Sequence, residues 1–445
     1  MNRRDFLLTP AVAVAQALRP RPRPSRAQLE WQRDELAMFL HFGVNTFTDR
    51  EWGDGRESPA IFNPAALDAR SWARAARAAG FRAMILTAKH HDGFCLWPTR
   101  TTTHSVSASP WRGGRGDLVR EFVDACRAER LRPGLYLSPW DRNNPHYGDS
   151  PRYNDLYADQ LTELLTRYGP LAEVWFDGAN GEGPNGRKQQ YNWPRVWALV
   201  RKLQPNAVTF SDAGPDVRWN GNENGTAGDP NWSTVDPARV PFPGVSGPGV
   251  IDALQHGDAA GTVWRPAEAD VSIRPGWFHH PAEDTRVKSG QTLMNLYLRS
   301  VGRNAKLLLN VPPTRDGVLH DTDVSCLMQF AERRRAAFAV DVARGRKAVW
   351  QRLPPNAMIG ELDLGRDTTI GHVRLEEDIS NGQMASRYIL SALGAQDSWR
   401  EIARGTTIGY ARIDVVTGVR TRRLRILVES IGAPVRVAIR AYENA

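Results

Sequence analysis

The chain has 445 residues, of which 41% are hydrophobic and 24% charged, and carries a net charge of +9. That length exceeds what one hydrophobic core usually holds and predicts two domains, while no apolar run approaches the roughly 20 residues of a membrane-spanning helix. The positive charge does not predict a nucleic-acid partner. Residues 1–26 hold Arg3, Arg4, Arg19, Arg21, Arg23 and Arg26 against Asp5 alone, and the +4 left on the remaining chain is a mild surface bias.

At the N-terminus, Arg3-Arg4-Asp5-Phe6-Leu7 runs into a short apolar stretch, Leu8 to Leu18, and resembles a twin-arginine export signal. Residues 1–26 are therefore assigned to that signal and an extended Arg-Pro linker, which predicts a periplasmic or extracellular protein. Such proteins typically cross the membrane already folded. Cys95, Cys126 and Cys326 fit this, being odd in number and widely spaced, with no CxxC or zinc-finger spacing.

Next comes an alternation of β-rich runs and amphipathic helical stretches. Strands are predicted at Met38–Val44, Ala83–Ala88, Leu135–Ser138, Glu173–Asp177, Ala207–Ser211 and Lys306–Val311. Helices are predicted at Ser71–Ala79, Leu118–Arg130, Leu156–Tyr168 and Val196–Leu203. This spacing predicts parallel βαβ units, and the absence of a Gly-rich nucleotide fingerprint favours an irregular (β/α)8 TIM-like barrel over an open sheet. The Gly- and Pro-rich stretch from Gly214 to Arg286 is read as long loops. A helix from Asp321 to Arg344 closes the barrel, which spans residues 27–344. Residues 345–445 then show short alternating runs (His372–Leu375, Arg387–Ser391, Thr407–Ile413, Leu424–Val428), the pattern of a C-terminal all-β sandwich.

Chemistry in such a barrel sits where the strands run out. The first predicted strand ends in His41-Phe42-Gly43, with Glu51-Trp52-Gly53 soon after; the second ends in His90-His91-Asp92; the third carries Tyr136. Any one of these histidines alone reads as a structural hydrogen-bonder. Adjacent His90 and His91 would point to opposite faces of a strand and so would not readily share a metal. Asp177 differs in kind, because it ends the apolar run Val174-Trp175-Phe176, where an unpartnered carboxylate costs several kcal/mol. It is either a buried turn-capping residue or a reactive group, with Gly178 leaving room for a ligand. A glycosidic bond is hydrolysed by two carboxyl groups, and Glu223, in the loop Trp219-Asn220-Gly221-Asn222-Glu223-Asn224-Gly225 after the fifth predicted strand, is the candidate partner.

Taken together, His41-Phe42-Gly43, Glu51-Trp52-Gly53, His90–Phe94, Trp175-Phe176-Asp177-Gly178, Trp264–His280 and Ser300–Pro313 resemble the α-L-fucosidases of glycoside hydrolase family 29, in unbroken order. The resemblance implies a (β/α)8-like barrel followed by a β-sandwich, no metal and no organic cofactor, and a fucosylated oligosaccharide or glycoconjugate as substrate. It implies Asp177 as nucleophile of a retaining, double-displacement mechanism. It also implies that His41, Glu51, Trp52, His90, His91, Tyr136 and Trp277 bind the fucosyl unit, with the histidines donating to its hydroxyls. The Gly221-Asn222-Glu223 segment resembles the branch acting on α-1,3 and α-1,4 linkages, which makes Glu223 the general acid/base and Glu268 the second choice. Two rival readings remain at this stage: a metal-dependent barrel hydrolase using the histidines, and a non-catalytic carbohydrate-binding protein.

Overall fold

The computed structural model describes residues 20–444, so the expected twin-arginine segment lies outside the described residues. Ser25 opens the first helix, Arg26–Asp34, through a capping box: its hydroxyl accepts from the Gln28 N–H while the Gln28 side chain accepts from the Ser25 N–H. Just before it, Arg21 donates to the Gln383 carbonyl at 3.2 Å and lies over the Trp232 ring. The end of the Arg-Pro stretch is thus tied down rather than free.

The strands that follow are β1 (Leu36–Leu40), β2 (Ala83–Lys89), β3 (Arg132–Leu137), β4 (Glu173–Trp175), β5 (Val208–Ser211), β6 (Val217–Trp219), the short pair β7 (Thr234–Val235) and β8 (Val263–Trp264), β9 (Ala267–Ser272) and β10 (Lys306–Asn310). Apart from β7 and β8 these pair in parallel and close into a barrel in the order β1-β10-β9-β6-β5-β4-β3-β2. The expected (β/α)8 barrel is present. Helices Ala69–Ala79, Leu118–Ala128, Ser150–Arg167 and Trp193–Leu203 each follow a strand, as their apolar stripes predict. The first of these is typical: Asp68 caps its N-terminus, Trp72, Ala73, Ala76 and Ala79 form its buried stripe, and Gly80, at φ 85°, ends it in the left-handed region.

The stretch from Gly214 to Arg286 departs from expectation, for it contains two barrel strands, β6 and β9. Strand β6 is three residues long and follows β5 with no helix between them. Strand β9 carries Glu268, Asp270 and Ser272 at alternate buried positions, the reverse of the pattern that marks a strand. The closing helix ends at Ala337, short of Arg344, because residues 338–344 turn to meet the last strand: Val342 N–H donates to the Ala441 carbonyl and Glu443 N–H to the Val340 carbonyl.

Residues from Val349 onward form a six-stranded antiparallel sheet, β11 (Val349–Leu353), β12 (Ala357–Glu377), β13 (Ala385–Leu393), β14 (Trp399–Gly405), β15 (Arg412–Ser430) and β16 (Val437–Glu443). Register shifts between Asp363 and Thr368 and between Ile370 and His372 bend the long β12–β15 pair, and the sheet wraps a core of Leu362, Leu375, Tyr388, Ile426 and Val428 in sandwich fashion. The run Thr407–Ile413 is only partly strand. Thr407 accepts from Asn231 N–H, and Tyr410 donates from N–H to Asn304 Oδ1 and from O–H to the Ala305 carbonyl. These bonds to the barrel replace a sheet ladder. Among the described residues no helix is long and apolar enough to cross a membrane, and Cys95, Cys126 and Cys326 are buried free thiols.

Candidate active site

Inside the barrel, strand alternation decides which side chains meet. On β4, Glu173 and Trp175 point inward while Val174 and Phe176 pack outward against the helices, so Asp177, two residues past Trp175, continues the inward set. The same parity carries Ala37 and Phe39 to His41 on β1 and selects Tyr136 on β3. It also selects Asp270 and Ser272 on β9 and Asn310 on β10. His41, Asp177, Ser272 and Asn310 stand at or just past the carboxyl ends of their strands, beyond an inward-facing core that includes Phe39, Tyr136, Trp175, Phe210 and Leu308.

Asp177 is 28% exposed at its side chain and faces the cavity. Its Oδ1 accepts from the Ala179 N–H at 2.7 Å and its Oδ2 from the Tyr136 O–H at 3.2 Å. Burial, reinforced by the charge of Asp177, pushes the Tyr136 phenol well above its usual range, so that O–H remains a donor. Gly178 is required for a reason other than ligand space: a Cβ there would collide with Asp212 Oδ2 and approach the Gly244 N–H. That Asp212 carboxyl, raised to about 6 by burial and by the charge of Asp177 while the Gly244 N–H opposes the rise, lies against the backbone that presents the aspartate.

The three histidines converge. Their ring centroids stand 5.4 Å apart for His41 and His90 and 4.1 Å apart for His90 and His91. The expectation that His90 and His91 face opposite ways fails because both lie beyond the end of β2, where strand alternation no longer applies. Hydrogen bonding also sets their tautomers. Asn310 spends its amide N–H groups on Ser272 Oγ (2.9 Å) and the Trp277 carbonyl (2.8 Å). Its Oδ1 must therefore accept from His41 Nδ1–H, at 2.9 Å. Similarly, Ser138 donates its hydroxyl proton to the Trp140 carbonyl, so His91 Nδ1 donates to Ser138 Oγ at 2.7 Å. Burial pulls His41 down to about 3, carries His90 well below its usual value and lowers His91 despite the pull of Asp177. His41 and His91 are neutral imidazoles with Nε2 left as an acceptor. His91 Nε2 stands 3.9 Å from Asp177 Oδ2, too far for a hydrogen bond. These two rings would accept from sugar hydroxyls rather than donate to them.

Around the mouth, Trp52 is 59% exposed, with its ring 6.5 Å from His91 and 6.2 Å from Trp140. Trp277 lies 5.2 Å from His41. Glu51 accepts from the backbone N–H groups of Trp277 and Phe278 and pairs with His280 Nε2 at 2.9 Å. It fixes the loop that presents Trp277, a bracing role that spacing alone could not reveal.

Glu223 sits in the loop that leaves β6, not β5 as expected. The residue is exposed as a whole, yet its carboxyl is pushed up by partial burial, the Trp277 indole opposes that rise, and the charges of Asp177 and Glu51 add to it. Asp177, Glu51 and Trp277 thus all act on Glu223. Glu268, the second choice for the acid, lies elsewhere. It is fully buried lower in the barrel, accepting from Trp175 Nε1 at 3.1 Å beside the Lys306–Glu173 ion pair. Among the described residues, no three His, Cys, Asp or Glu side chains cluster in a way that could hold a metal ion.

Asn310, Ser138, Asp212 and Asp270 were not singled out from the sequence. Asn310 carried a usable signal, since it ends the apolar run Leu307-Leu308-Leu309 just as Asp177 ends its own.

Carboxyls and tryptophans gathered around the carboxyl ends of barrel strands are the kind of site that a glycoside hydrolase uses. Comparison with known proteins narrows this. The sequence model described as alpha-L-fucosidase matches residues 30–332, and the chain belongs to that family. It is 41% identical over 436 residues to Alpha-L-fucosidase 1 of Arabidopsis thaliana, covering 92% of this chain and 85% of that one. The crystal structure described as SpGH29 is 39% identical, with a TM-score of 0.89 over 96% of this chain and 99% of the other. A Ruminococcus gnavus GH29 fucosidase in complex with fucose is 30% identical, with a TM-score of 0.85 and 96% of each chain covered.

Proposed function

We propose that the protein is an exo-acting, retaining α-L-fucosidase that removes terminal α-linked fucose from glycans, with preference for α-1,3 and α-1,4 linkages. The observation that carries this reading is the contrast between its two carboxyls. Asp177 is braced by Tyr136 and the Ala179 N–H, while Glu223 is pushed up by partial burial and by the charge of Asp177. Unlike surroundings divide the acid and nucleophile roles between a pair of carboxyls.

In the first step Asp177 attacks the anomeric carbon as Glu223 gives its proton to the departing glycosidic oxygen. In the second, Glu223 takes a proton from water, whose oxygen displaces Asp177 and frees fucose with its α configuration retained. Neutral His41 and His91 accept from ring hydroxyls through Nε2, His90 lines the same wall, Trp52 and Trp277 pack against the sugar, and Glu51 holds the Trp277 loop in place. The α-1,3/α-1,4 preference rests on the likeness of the Glu223 segment to one branch of the family, and export rests on Arg3-Arg4 and the apolar run after it.

The decisive experiment follows fucose release by NMR in the first turnovers. The α-anomer should appear first, chelator should not slow the reaction, and Asp177→Ala should lower kcat by at least about 10³-fold while still binding fucose. First appearance of the β-anomer would overturn retention, and full activity in Asp177→Ala would overturn the nucleophile. Side-by-side α-1,2, α-1,3 and α-1,4 fucosides test the linkage preference.

A further inference from the structure

Asp270 lies on β9 between Glu268 and Ser272, and the alternation that turns those two inward turns it inward as well. It is only 4% exposed. Its Oδ1 accepts from the Trp219 indole N–H at 2.8 Å, and its backbone carbonyl accepts from the Gly225 N–H at 3.1 Å. Trp219 is the last residue of β6 and Gly225 closes the loop that carries Glu223. Asp270 therefore meets both ends of that loop, by its side chain at Trp219 and by its backbone at Gly225, while the Asn220 N–H bonds the Glu268 carbonyl beside it.

Between those ends the loop is stiffened by its asparagines. Asn220 and Asn222 both donate to the Thr226 carbonyl at 3.0 Å, and Asn222 and Asn224 accept from backbone N–H groups two residues ahead.

The charge around Asp270 is one-sided. The charges of Glu223 in the loop and of Asp177, two residues past β4, both act on it, Glu268 stands two residues away on its own strand, and the neutral indole of Trp219 is the donor it contacts. Among the described residues no Lys, Arg or His is drawn into an ion pair with it. Burial, with the charges of Glu223 and Asp177 adding to it and the Trp219 N–H opposing, pushes it well above the usual carboxyl range.

We propose that Asp270 is the positioning residue for the general acid/base: its carboxyl holds Trp219, the residue from which the Glu223 loop leaves β6, so that Glu223 meets the leaving oxygen. This rests on Glu223 being the general acid/base.

The test uses the purified full chain and two aryl α-L-fucosides, 2-chloro-4-nitrophenyl with a leaving group that departs unaided and phenyl with one that needs a proton. Asp270→Ala should lower kcat/KM roughly thirtyfold or more on the phenyl fucoside, toward the 10²–10⁴ of a lost general acid. On the activated substrate it should lower kcat/KM by less than about threefold, with azide raising kcat because that nucleophile needs no general base. Trp219→Phe should fall on the same leaving-group-dependent side. Asp270→Asn keeps the acceptor oxygen for the Trp219 indole, so it should retain activity within about threefold on both substrates.

Equal losses on both substrates in Asp270→Ala and Trp219→Phe would overturn the proposal, as would a loss on the phenyl fucoside in Asp270→Asn as large as that in Asp270→Ala. If Asp270→Ala does not fold, the other two variants decide. Glu223→Gln serves as reference: if it lacks leaving-group dependence, the acid/base assignment itself falls. If it shows that dependence and the Asp270 and Trp219 variants do not, only the Asp270 proposal falls.

Discussion

The Oδ1 of Asn310 accepts two hydrogen bonds from His41, one from Nδ1–H at 2.9 Å and one from the backbone N–H at 3.2 Å. With the Asn310 amide N–H groups committed to Ser272 and Trp277, the imidazole is confined to one tautomer, and burial holds its pKa near 3. Asn310→Asp would place an anion beside that ring, favour its protonated form and take away the Nε2 lone pair. We expect kcat/KM on an aryl α-L-fucoside to drop roughly ten- to hundredfold, the equivalent of the ~1–3 kcal/mol of a disturbed buried hydrogen bond. The acid limb of the profile should move to higher pH, because turnover requires neutral His41 and protonation would begin earlier. An acid limb identical to the parent's would show that the tautomer is not used.

Glu51 acts on Glu223, its charge adding to the rise of that carboxyl. The sign of its removal follows. Glu51→Gln takes away a negative neighbour, Glu223 loses its proton at lower pH, and the basic limb of kcat/KM moves to lower pH. Because Glu51 also holds the N–H groups of Trp277 and Phe278, KM should rise roughly fivefold, about 1 kcal/mol for one weakened hydrogen bond. A basic limb that stays in place, measured from pH 5 to 9 on the phenyl fucoside, would remove Glu51 from the electrostatics of the acid.

Much of this site was legible because polar residues interrupting apolar strands are expensive and therefore conspicuous. Asp177 after Val174-Trp175-Phe176, and His41 after Leu36–Leu40, announce themselves that way. What could not be read depends on contacts distant in sequence. Asn310 orients His41 from 269 positions away, and Glu51 grips the Trp277 loop from 226 away. Strands β6 and β9 escaped for a local reason: one is three residues long, and the other turns Glu268, Asp270 and Ser272 into the barrel. The polar side chains that β9 turns inward are the feature that disguises it as a strand.

The N-terminal segment can be tested apart from the enzyme. Fused to a folded reporter in a bacterium with a twin-arginine pathway, residues 1–26 should carry it to the periplasm. Replacing both Arg3 and Arg4 by Lys should leave it in the cytoplasm, since the paired guanidinium groups are the part of the signal that is read. Equal periplasmic reporter from the two fusions would remove the export reading.

Lower in the barrel, Lys306 Nζ lies 3.1 Å from Glu173 Oε2 and 3.7 Å from Glu268 Oε2, and over the Trp31 ring at 4.6 Å. Burial and the neighbouring Glu173 push the Glu268 carboxyl well above its usual range while Lys306 pulls it back. Removing the one cation leaves two buried carboxyls facing each other. Lys306→Met should therefore cost about 3–5 kcal/mol of stability in urea unfolding, the range for a buried pair that loses one partner. Glu268→Gln keeps the acceptor for Trp175 and lies lower in the barrel than Asp177. It should leave the ratio of kcat/KM between activated and phenyl fucosides as in the parent. A Glu268→Gln enzyme that fails selectively on the phenyl fucoside, as Glu223→Gln should, would move the acid from the loop to the barrel interior.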